Sequence, residues 1–405
     1  MKKYNFVFAG GGLSGLCTAY YLSLSGIDFE SALILDRDEK NVDDRTWCFW
    51  SSLPAAFEGL VSHKWRQLGV AFEDFSRLER IGGNGYQLVR SLDFYRFVED
   101  RLRSDGRFEW LQSGIRRMLP EGDGVRVELV GGGSVVGDRV FNSIPAFSGD
   151  TGLPARPSFL WQHFMGWVIE TDAPVFDPSA PLLMDFFDGT ELPDVHFYYL
   201  LPQSERKALV EYTVFSEAVF APGVYEEKLE RYIRMKFGEG AYRITATERG
   251  AIPMTDRVFP QIEADRIFNI GTAGGWVKPS TGYAFVRTLE RSKALVAALS
   301  EGKEKEVRLG SRSRFVFYDR LLLNILKEEG YRGGGIFRAL FKRNRIVSVL
   351  KFLEERSNLL EEVRIFMRLP VRTFLRALVR VYLPRIFEGY QHYRAKLKIR
   401  FRYDF

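Results

Sequence analysis

The sequence predicts an α/β protein in which a mostly parallel sheet is interrupted by an antiparallel one and then followed by helices. Three observations carry this. An apolar strand, Tyr4-Asn-Phe-Val-Phe-Ala9, runs into the turn Gly10-Gly-Gly-Leu-Ser-Gly15. Strand signals replace the helical period between residues 158 and 220. Much later a second strand, Ile267-Phe-Asn-Ile270, again enters glycines at Gly271-Thr-Ala-Gly-Gly275.

The first elements describe a dinucleotide site. Gly10 permits a tight turn, Gly12 lets the backbone approach a pyrophosphate, and Gly15 lets the following helix, Leu16 to Ser25, pack closely with its N–H groups aimed at phosphate. A second strand, Ala32-Leu-Ile-Leu35, ends at Asp36, whose carboxylate suits ribose hydroxyls and repels a 2′-phosphate, favouring FAD or NAD over NADP. A bare GxGxxG also fits a structural turn; strand, glycines, helix, strand and acid in this order favour the nucleotide. Apolar spacing at Leu92, Phe94, Phe97 and Leu102 predicts a helix over Ser91 to Arg103 opened by a serine cap. Residues 124–130 and 134–141 flank Gly131-Gly132-Gly133 and predict a hairpin leading back to the nucleotide sheet.

The antiparallel block predicts strands at Phe159 to Thr171, Leu182 to Phe187, Val195 to Leu201 and Ala208 to Phe215, then a helix from Tyr225 to Phe237. The late glycines are followed by Thr281-Gly-Tyr-Ala-Phe285 and a helix to Ser300, so the nucleotide domain returns. Apolar stripes at Phe315 to Leu326, Ile346 to Leu353 and Phe374 to Leu383 predict a helical end. The expected parts are 1–150 for the first nucleotide block, 151–245 for the antiparallel substrate domain, 246–302 for the second nucleotide block and 303–405 for the helical, basic region.

A chain of 405 residues can bury a large core split into subdomains. Its 15% aromatic content suits either a greasy substrate pocket or ordinary packing. Net charge is +6, compatible with anionic membranes, nucleic acid or a plain solvated surface. Nine basic residues from Arg372 onward, interleaved with Phe, Leu and Tyr, face only Glu388 and Asp404; they read either as a face for lipid head groups or as a solvated helix packed on the core. With only Cys17 and Cys48, no disulfide framework is encoded, and a reducing cytoplasm is the expected setting. The short apolar start ends in glycines, so a retained N-terminus is expected. No apolar run reaches about 18 residues, so membrane contact would be peripheral.

His63, His163, His196 and His392 lack ligand spacing among themselves or with cysteine, so no metal is expected. Two carboxylates stand out because their strands are otherwise apolar: Asp185 in Leu182-Leu-Met-Asp-Phe-Phe187 and Glu211 in Ala208-Leu-Val-Glu-Tyr-Thr-Val-Phe215. Alternation puts Ala208, Val210, Tyr212 and Val214 on one face, and Leu209, Glu211, Thr213 and Phe215 on the other. If that second face is buried, Glu211 stays protonated at neutral pH; if it faces solvent, the residue is an ordinary or arginine-paired carboxylate.

A nucleotide fold with a second glycine block late in the chain resembles FAD-dependent enzymes of the hydroxylase and reductase type. It departs from many of them in Gly271-Thr272-Ala273, where they carry Gly-Asp-Ala and a carboxylate. A closer resemblance rests on Asp44-Arg-Thr-Trp-Cys-Phe-Trp50, Trp161-Gln-His-Phe-Met-Gly-Trp167 with Glu170-Thr171, Leu183-Met-Asp-Phe186, Leu209-Val-Glu-Tyr-Thr-Val-Phe215, Ile252-Pro-Met-Thr255, Gly271-Thr-Ala-Gly-Gly275 and Lys278-Pro-Ser-Thr-Gly-Tyr283. Ser348-Val-Leu-Lys-Phe-Leu-Glu-Glu355 and Met367-Arg-Leu-Pro370 extend it into the tail. Together these resemble the bacterial lycopene beta-cyclases, flavoproteins of carotenoid biosynthesis.

The resemblance implies a redox-neutral cyclisation of lycopene, through gamma-carotene to beta-carotene, that needs reduced FAD with NAD(P)H as electron source. A proton adds to the terminal double bond of the polyene, the neighbouring double bond attacks the cation, and proton loss leaves a β-ionone ring. Glu211 aligns with the family's acid/base glutamate and Asp185 with a second carboxylate. The implied cofactor contacts are Gly10, Gly12, Gly15, Asp36, Arg37, Arg45 and Thr46, with Gly271, Thr272, Gly274, Gly275 and Gly282 from the late block. No nucleic acid and no metal are implied. A hydrocarbon dissolved in the bilayer implies peripheral attachment to the inner face of the cell membrane. A flavin monooxygenase or reductase acting on an isoprenoid is the alternative.

Overall fold

The computed structural model describes residues 2–145, 157–190 and 193–383. Lys3–Ala9 runs parallel to Ala32–Asp36 on one side and Ser134–Asn142 on the other, and Phe108–Gln112 extends the parallel order. The predicted hairpin forms: Gly124–Leu129 pairs antiparallel with the first half of Ser134–Asn142, and Ile115–Glu121 adds a further strand. Where that pairing stops, the late strand Ile267–Asn269 pairs parallel with Val140, Phe141 and Asn142, so the chain does return to its first sheet. Strands buried on both faces must be apolar throughout, and Val7, Phe8, Ala9, Leu33, Ile34 and Leu35 are all buried. Helices Leu13–Ser23, Ser91–Asp105 and Phe285–Ser300 cover one face; Val125, Val127 and Val135 pack on the other. Ser91 is the first helical residue, with Arg90 at the N-cap position. Its hydroxyl is used elsewhere, accepting from the Arg45 N–H and donating to Asp43, so the expected serine cap is corrected.

The second sheet has the order Tyr242–Thr255, Phe159–Thr171, Lys207–Ser216, Val195–Ser204, Leu182–Asp185, Gln67–Phe72, Phe75–Arg80. Its pairs are antiparallel except Leu182–Asp185 with Gln67–Phe72. The sheet is wider than the expected 151–245 block. Two strands come from residues 67–80, and Tyr242–Thr255 crosses the boundary expected at 245/246. That edge strand exposes most of its first half and carries no apolar run, so its sequence reads as a connection.

The two faces divide as alternation requires. Ala208, Val210, Tyr212 and Val214 pack with Tyr225, Leu229 and Tyr232 of the helix Pro222–Phe237. Leu209 and Phe215 face the core shared with the C-terminal helices.

Those helices are Ser313–Glu328, Gly333–Arg343, Ile346–Leu353, Leu359–Phe366 and residues 371–383. Gly333–Arg343 has no counterpart in the sequence reading because three glycines open it. They are there for contact: a Cβ on Gly333 would lie 2.2 Å from a Val195 methyl, and one on Gly334 2.6 Å from the Thr190 carbonyl. A buried ionic cluster ties this region to the late glycine block, with Lys278 2.9 Å from Asp319 and 3.2 Å from Glu355, which also pairs with Arg287. A lysine so enclosed is tolerated because it is doubly paired. Of the basic run, Arg385, Arg394, Lys396, Lys398, Arg400 and Arg402 lie outside the described residues.

Candidate active site

A cavity of about 600 Å³ opens where the C-terminal ends of the parallel strands meet the second sheet. Its cradle is built from backbone. Gly10 adopts φ 107°, a conformation that side chains disfavour, and a Cβ on Gly15 would lie 1.9 Å from the Gly10 carbonyl. Gly12 has open space before it and lines the cavity with Leu13 and Ser14 at the helix N-terminus. Asp36 is fixed at its strand end by the N–H groups of Gly11 (2.7 Å) and Asp38 (2.9 Å). Gly271, at φ 55°, meets this turn from the late block: a Cβ there would lie 2.1 Å from the Ser14 hydroxyl.

Arg45, Thr46, Thr272 and Gly282 line the same cavity. Gly274 and Gly275 shape the turn behind it; a Cβ on Gly274 would lie 2.3 Å from the Asn269 carbonyl. Arg37 is not brought to the site. Its side chain is 81% exposed and pairs with Asp38, because the residue after Asp36 points away from the cradle. Open space before Gly12 at a helix N-terminus, a fixed acid at the second strand end, and two buried oxygens without a partner among the described residues, Thr281 Oγ1 and Gln162 Oε1, fit a dinucleotide.

The floor of the cavity is the second sheet, and one row of it holds the acid chemistry. Register aligns Tyr199 with Glu211, Glu211 with Gly166, and Gly166 with Glu248 across four adjacent strands. Two strand spacings put the glutamate Cα atoms roughly 10 Å apart. The missing side chain at Gly166 lets both carboxyl groups lean inward, within hydrogen-bonding reach of each other. A Cβ at Gly166 would lie 3.0 Å from Glu248 Cγ.

Glu211 is only partly covered because its carboxyl faces the cavity, yet it lies deep below bulk solvent. Burial, then the neighbouring Glu248 charge, push its carboxyl well above the usual range, with the Thr213 hydroxyl (2.8 Å) pulling the other way. Burial also raises Glu248, while Thr46 and Glu211 hold it down by hydrogen bonding. Sequence reasoning found Glu211 and missed Glu248. The signal available was Gly166, a glycine inside an apolar strand, which marks a close approach.

Asp185 is corrected. It pairs with Tyr198, not with the Tyr199 row, so its side chain leaves by the opposite face. There it accepts from the Tyr232 hydroxyl (2.8 Å) and pairs with Lys236 (2.8 Å). Nor do His163 and His196 join the site, and His392 lies outside the described residues. His163 lies in a buried chain between Ser216 (2.7 Å) and Tyr225 (2.5 Å), and burial lowers both His163 and His196 to about 4, leaving them neutral.

A second, apolar cavity of about 260 Å³ adjoins the first. Gln162, Tyr199, Thr281 and Tyr283 line both. Tyr199 and Tyr283 stand together at this junction, and Trp50 meets Tyr283 edge-on at 4.9 Å. Beyond them the wall is Phe197, Phe215, Phe337 and helix 371–383, through Val371, Phe374, Leu375 and Leu378. Among the described residues, no group of histidines, cysteines and carboxylates is arranged to hold a metal, and no helix is long and apolar enough to cross a membrane.

The family model described as lycopene cyclase protein matches residues 5–379. The chain is 31% identical over 163 residues to a chloroplastic lycopene beta cyclase of Arabidopsis thaliana, an alignment covering 36% of this chain and 30% of that protein. It is 27% identical over 183 residues to that of Nicotiana tabacum, covering 41% and 35%. The matched segments thus span about a third of these relatives' length. Among solved structures, a p-nitrophenol 4-monooxygenase from Pseudomonas putida gives a TM-score of 0.58 at 12% identity, covering 92% of this chain and 99% of that one. A geranylgeranyl bacteriochlorophyll reductase-like protein from Thermoplasma acidophilum gives 0.55 at 12% identity, covering 94% and 97%. The flavoprotein hydroxylase and reductase fold expected from the sequence is therefore present.

Proposed function

The chain belongs to the lycopene cyclase protein family, and on that premise we propose that it closes β-ionone rings on lycopene, through gamma-carotene to beta-carotene, with FAD in the larger cavity. The observation that carries this reading is Glu211. It is a carboxyl that burial and the neighbouring Glu248 push well above the usual range, with no cation paired to it among the described residues, at the junction of a dinucleotide cavity and an aromatic one. Such a group is a proton donor.

Reduced FAD, with NAD(P)H as the electron source, supplies a negative charge beside the cavity when bound. Gly10, Gly12 and Gly15 accommodate its pyrophosphate, Asp36 its ribose, and Arg45, Thr46, Gly271, Thr272 and Gly282 the remainder. The protein's own residues do the rest. Glu211 gives a proton to the terminal double bond; Trp50, Tyr199 and Tyr283 line the cation's surroundings, exclude water and present ring faces to it.

The substrate reaches the site from a bilayer. Leu359, Leu360, Val363, Met367, Val371, Leu375, Val379 and Leu383 are large, apolar and exposed, a concentration that marks an interaction surface. Val371 and Leu375 also line the apolar cavity, so its wall and the greasy surface are continuous. Arg372 lies among them, suited to anionic head groups at the inner face of the cell membrane, whereas Arg376 is already paired with Glu329 at 3.1 Å.

The test is anaerobic incubation of the FAD-loaded, reduced chain with lycopene in liposomes. A product of unchanged mass carrying β-rings supports the reading. Gain of oxygen or change in hydrogen count supports the alternative, a flavin monooxygenase or reductase acting on an isoprenoid, a chemistry the fold also hosts.

A further inference from the structure

We propose that Glu211 and Glu248 act as a single proton-holding dyad: Glu211 delivers the proton, Glu248 takes up the one released at ring closure, and their mutual hydrogen bond returns it to Glu211. This rests on the cyclase reading above and assigns Glu248 a role within it.

The two carboxyls sit in unequal surroundings. Burial, then the charge of Glu248, push Glu211 well above the usual carboxylate range, whereas at Glu248 hydrogen bonding with Thr46 and Glu211 offsets part of the effect of burial. The proton therefore rests on Glu211. Two carboxyls so close cannot both ionise cheaply, so they titrate as a pair. The other titratable groups that interact with them are Asp43, Cys48, Tyr199 and Tyr283. Asp43 already accepts from Ser91 and the Leu92 N–H, and burial holds Cys48 and the tyrosines in their neutral forms. Glu248 is thus the base that the site provides.

The steps balance. The O–H bond of Glu211 breaks as a C–H bond forms at the terminal double bond. The neighbouring π pair closes the ring. A ring C–H bond then breaks toward Glu248, its electrons becoming the new double bond. Transfer from Glu248 to Glu211 restores the starting state, and nothing is oxidised or reduced. The carbon that accepts a proton and the carbon that loses one are different atoms, and two carboxyls let the chain serve both without turning the polyene.

The test uses the full chain, FAD-loaded and reduced, with lycopene in liposomes. Glu248→Gln is expected to lower turnover about 100-fold. It also removes the negative neighbour that raises Glu211; activity needs Glu211 protonated, so the alkaline limb of the pH–rate profile moves down by about one unit. Glu248→Asp keeps the charge and restores the limb. Difference infrared spectroscopy reads the same proton without turnover: one protonated-carboxyl band that disappears in Glu211→Gln and titrates at lower pH in Glu248→Gln. An unmoved limb and band in Glu248→Gln, or two such bands at neutral pH, would overturn the dyad. A wild-type chain with the expected band that closes no ring overturns the cyclase reading instead and leaves the shared proton standing.

Discussion

The second sheet carries a buried carboxylate on each face, and the two have opposite fates. On the helix side, Asp185 meets Lys236 and the Tyr232 hydroxyl; its charge is matched and it serves the packing of a helix. On the cavity side, Glu211 meets another carboxylate and, among the described residues, no cation. Burial is common to both. The partner decides whether a buried acid becomes half of an ion pair or a reservoir for a proton. A p-nitrophenol 4-monooxygenase and a geranylgeranyl bacteriochlorophyll reductase-like protein share this fold, so function is expected to follow from such side-chain placements and not from the sheet itself.

The largest way to break the comparison is Glu211→Gln, which keeps the shape and hydrogen bonding but removes the transferable proton. Cyclisation is expected to fall by about 10²–10⁴-fold, with FAD still bound and the chain folded. Flavin absorbance of the purified variant and pigment analysis after incubation check this together; retained activity removes Glu211 from the reaction.

The mirror-image change, Asp185→Asn, is expected to do the reverse. Lys236 loses its countercharge, but it is itself 32% exposed and water takes over part of the loss. A destabilisation of about 2 kcal/mol follows, read as a lower denaturation midpoint, while turnover stays within about twofold. A variant as stable as the wild type but inactive would return Asp185 to the site.

A finer probe touches neither carboxyl. Gly166→Ala places a Cβ 3.0 Å from both Glu248 Cγ and Leu209 Cδ1. Both neighbours are side-chain atoms that can give by a few tenths of an ångström, so the fold survives at a cost of about 1 kcal/mol. The glutamates are nevertheless wedged apart, and turnover is expected to drop about tenfold, or about 1.4 kcal/mol in the barrier.

These residues differ in how far the sequence reveals them. Glu211 was legible because an acid in an apolar strand is unusual, and the alternation of Lys207–Ser216 placed it on the face it occupies. The glycine turn at Gly10 to Gly15 and the return of the chain at Ile267 were legible because close backbone approach demands glycine at those points. Glu248 was hidden, since Tyr242–Thr255 is an edge strand whose charged residues look solvent-facing; only its register against Gly166 turns one of them inward. Asp185 misled for the opposite reason. Its strand is as apolar as that of Glu211, and Lys236 lies on a distant helix that no local pattern connects to it. Gly333–Arg343 was hidden because glycines that serve close packing look like a break.

The smallest effect concerns stability rather than rate, and it separates the two faces without any substrate. Glu211 has a folded pKa raised above its unfolded value of about 4.3. The native state therefore binds more protons than the unfolded chain once pH exceeds that value, and stability declines as pH rises toward the folded pKa. Glu211→Gln removes this residue's share of the slope and leaves that of Glu248, which burial also raises, so the variant gains on the wild type as pH increases from about 5 and the two converge below about 4. Asp185→Asn leaves the decline intact. Melting temperatures of the three proteins across this pH range read the effect directly, and a wild-type curve parallel to that of Glu211→Gln would show that the cavity carboxyl is ionised in the native state, erasing the contrast between the two faces.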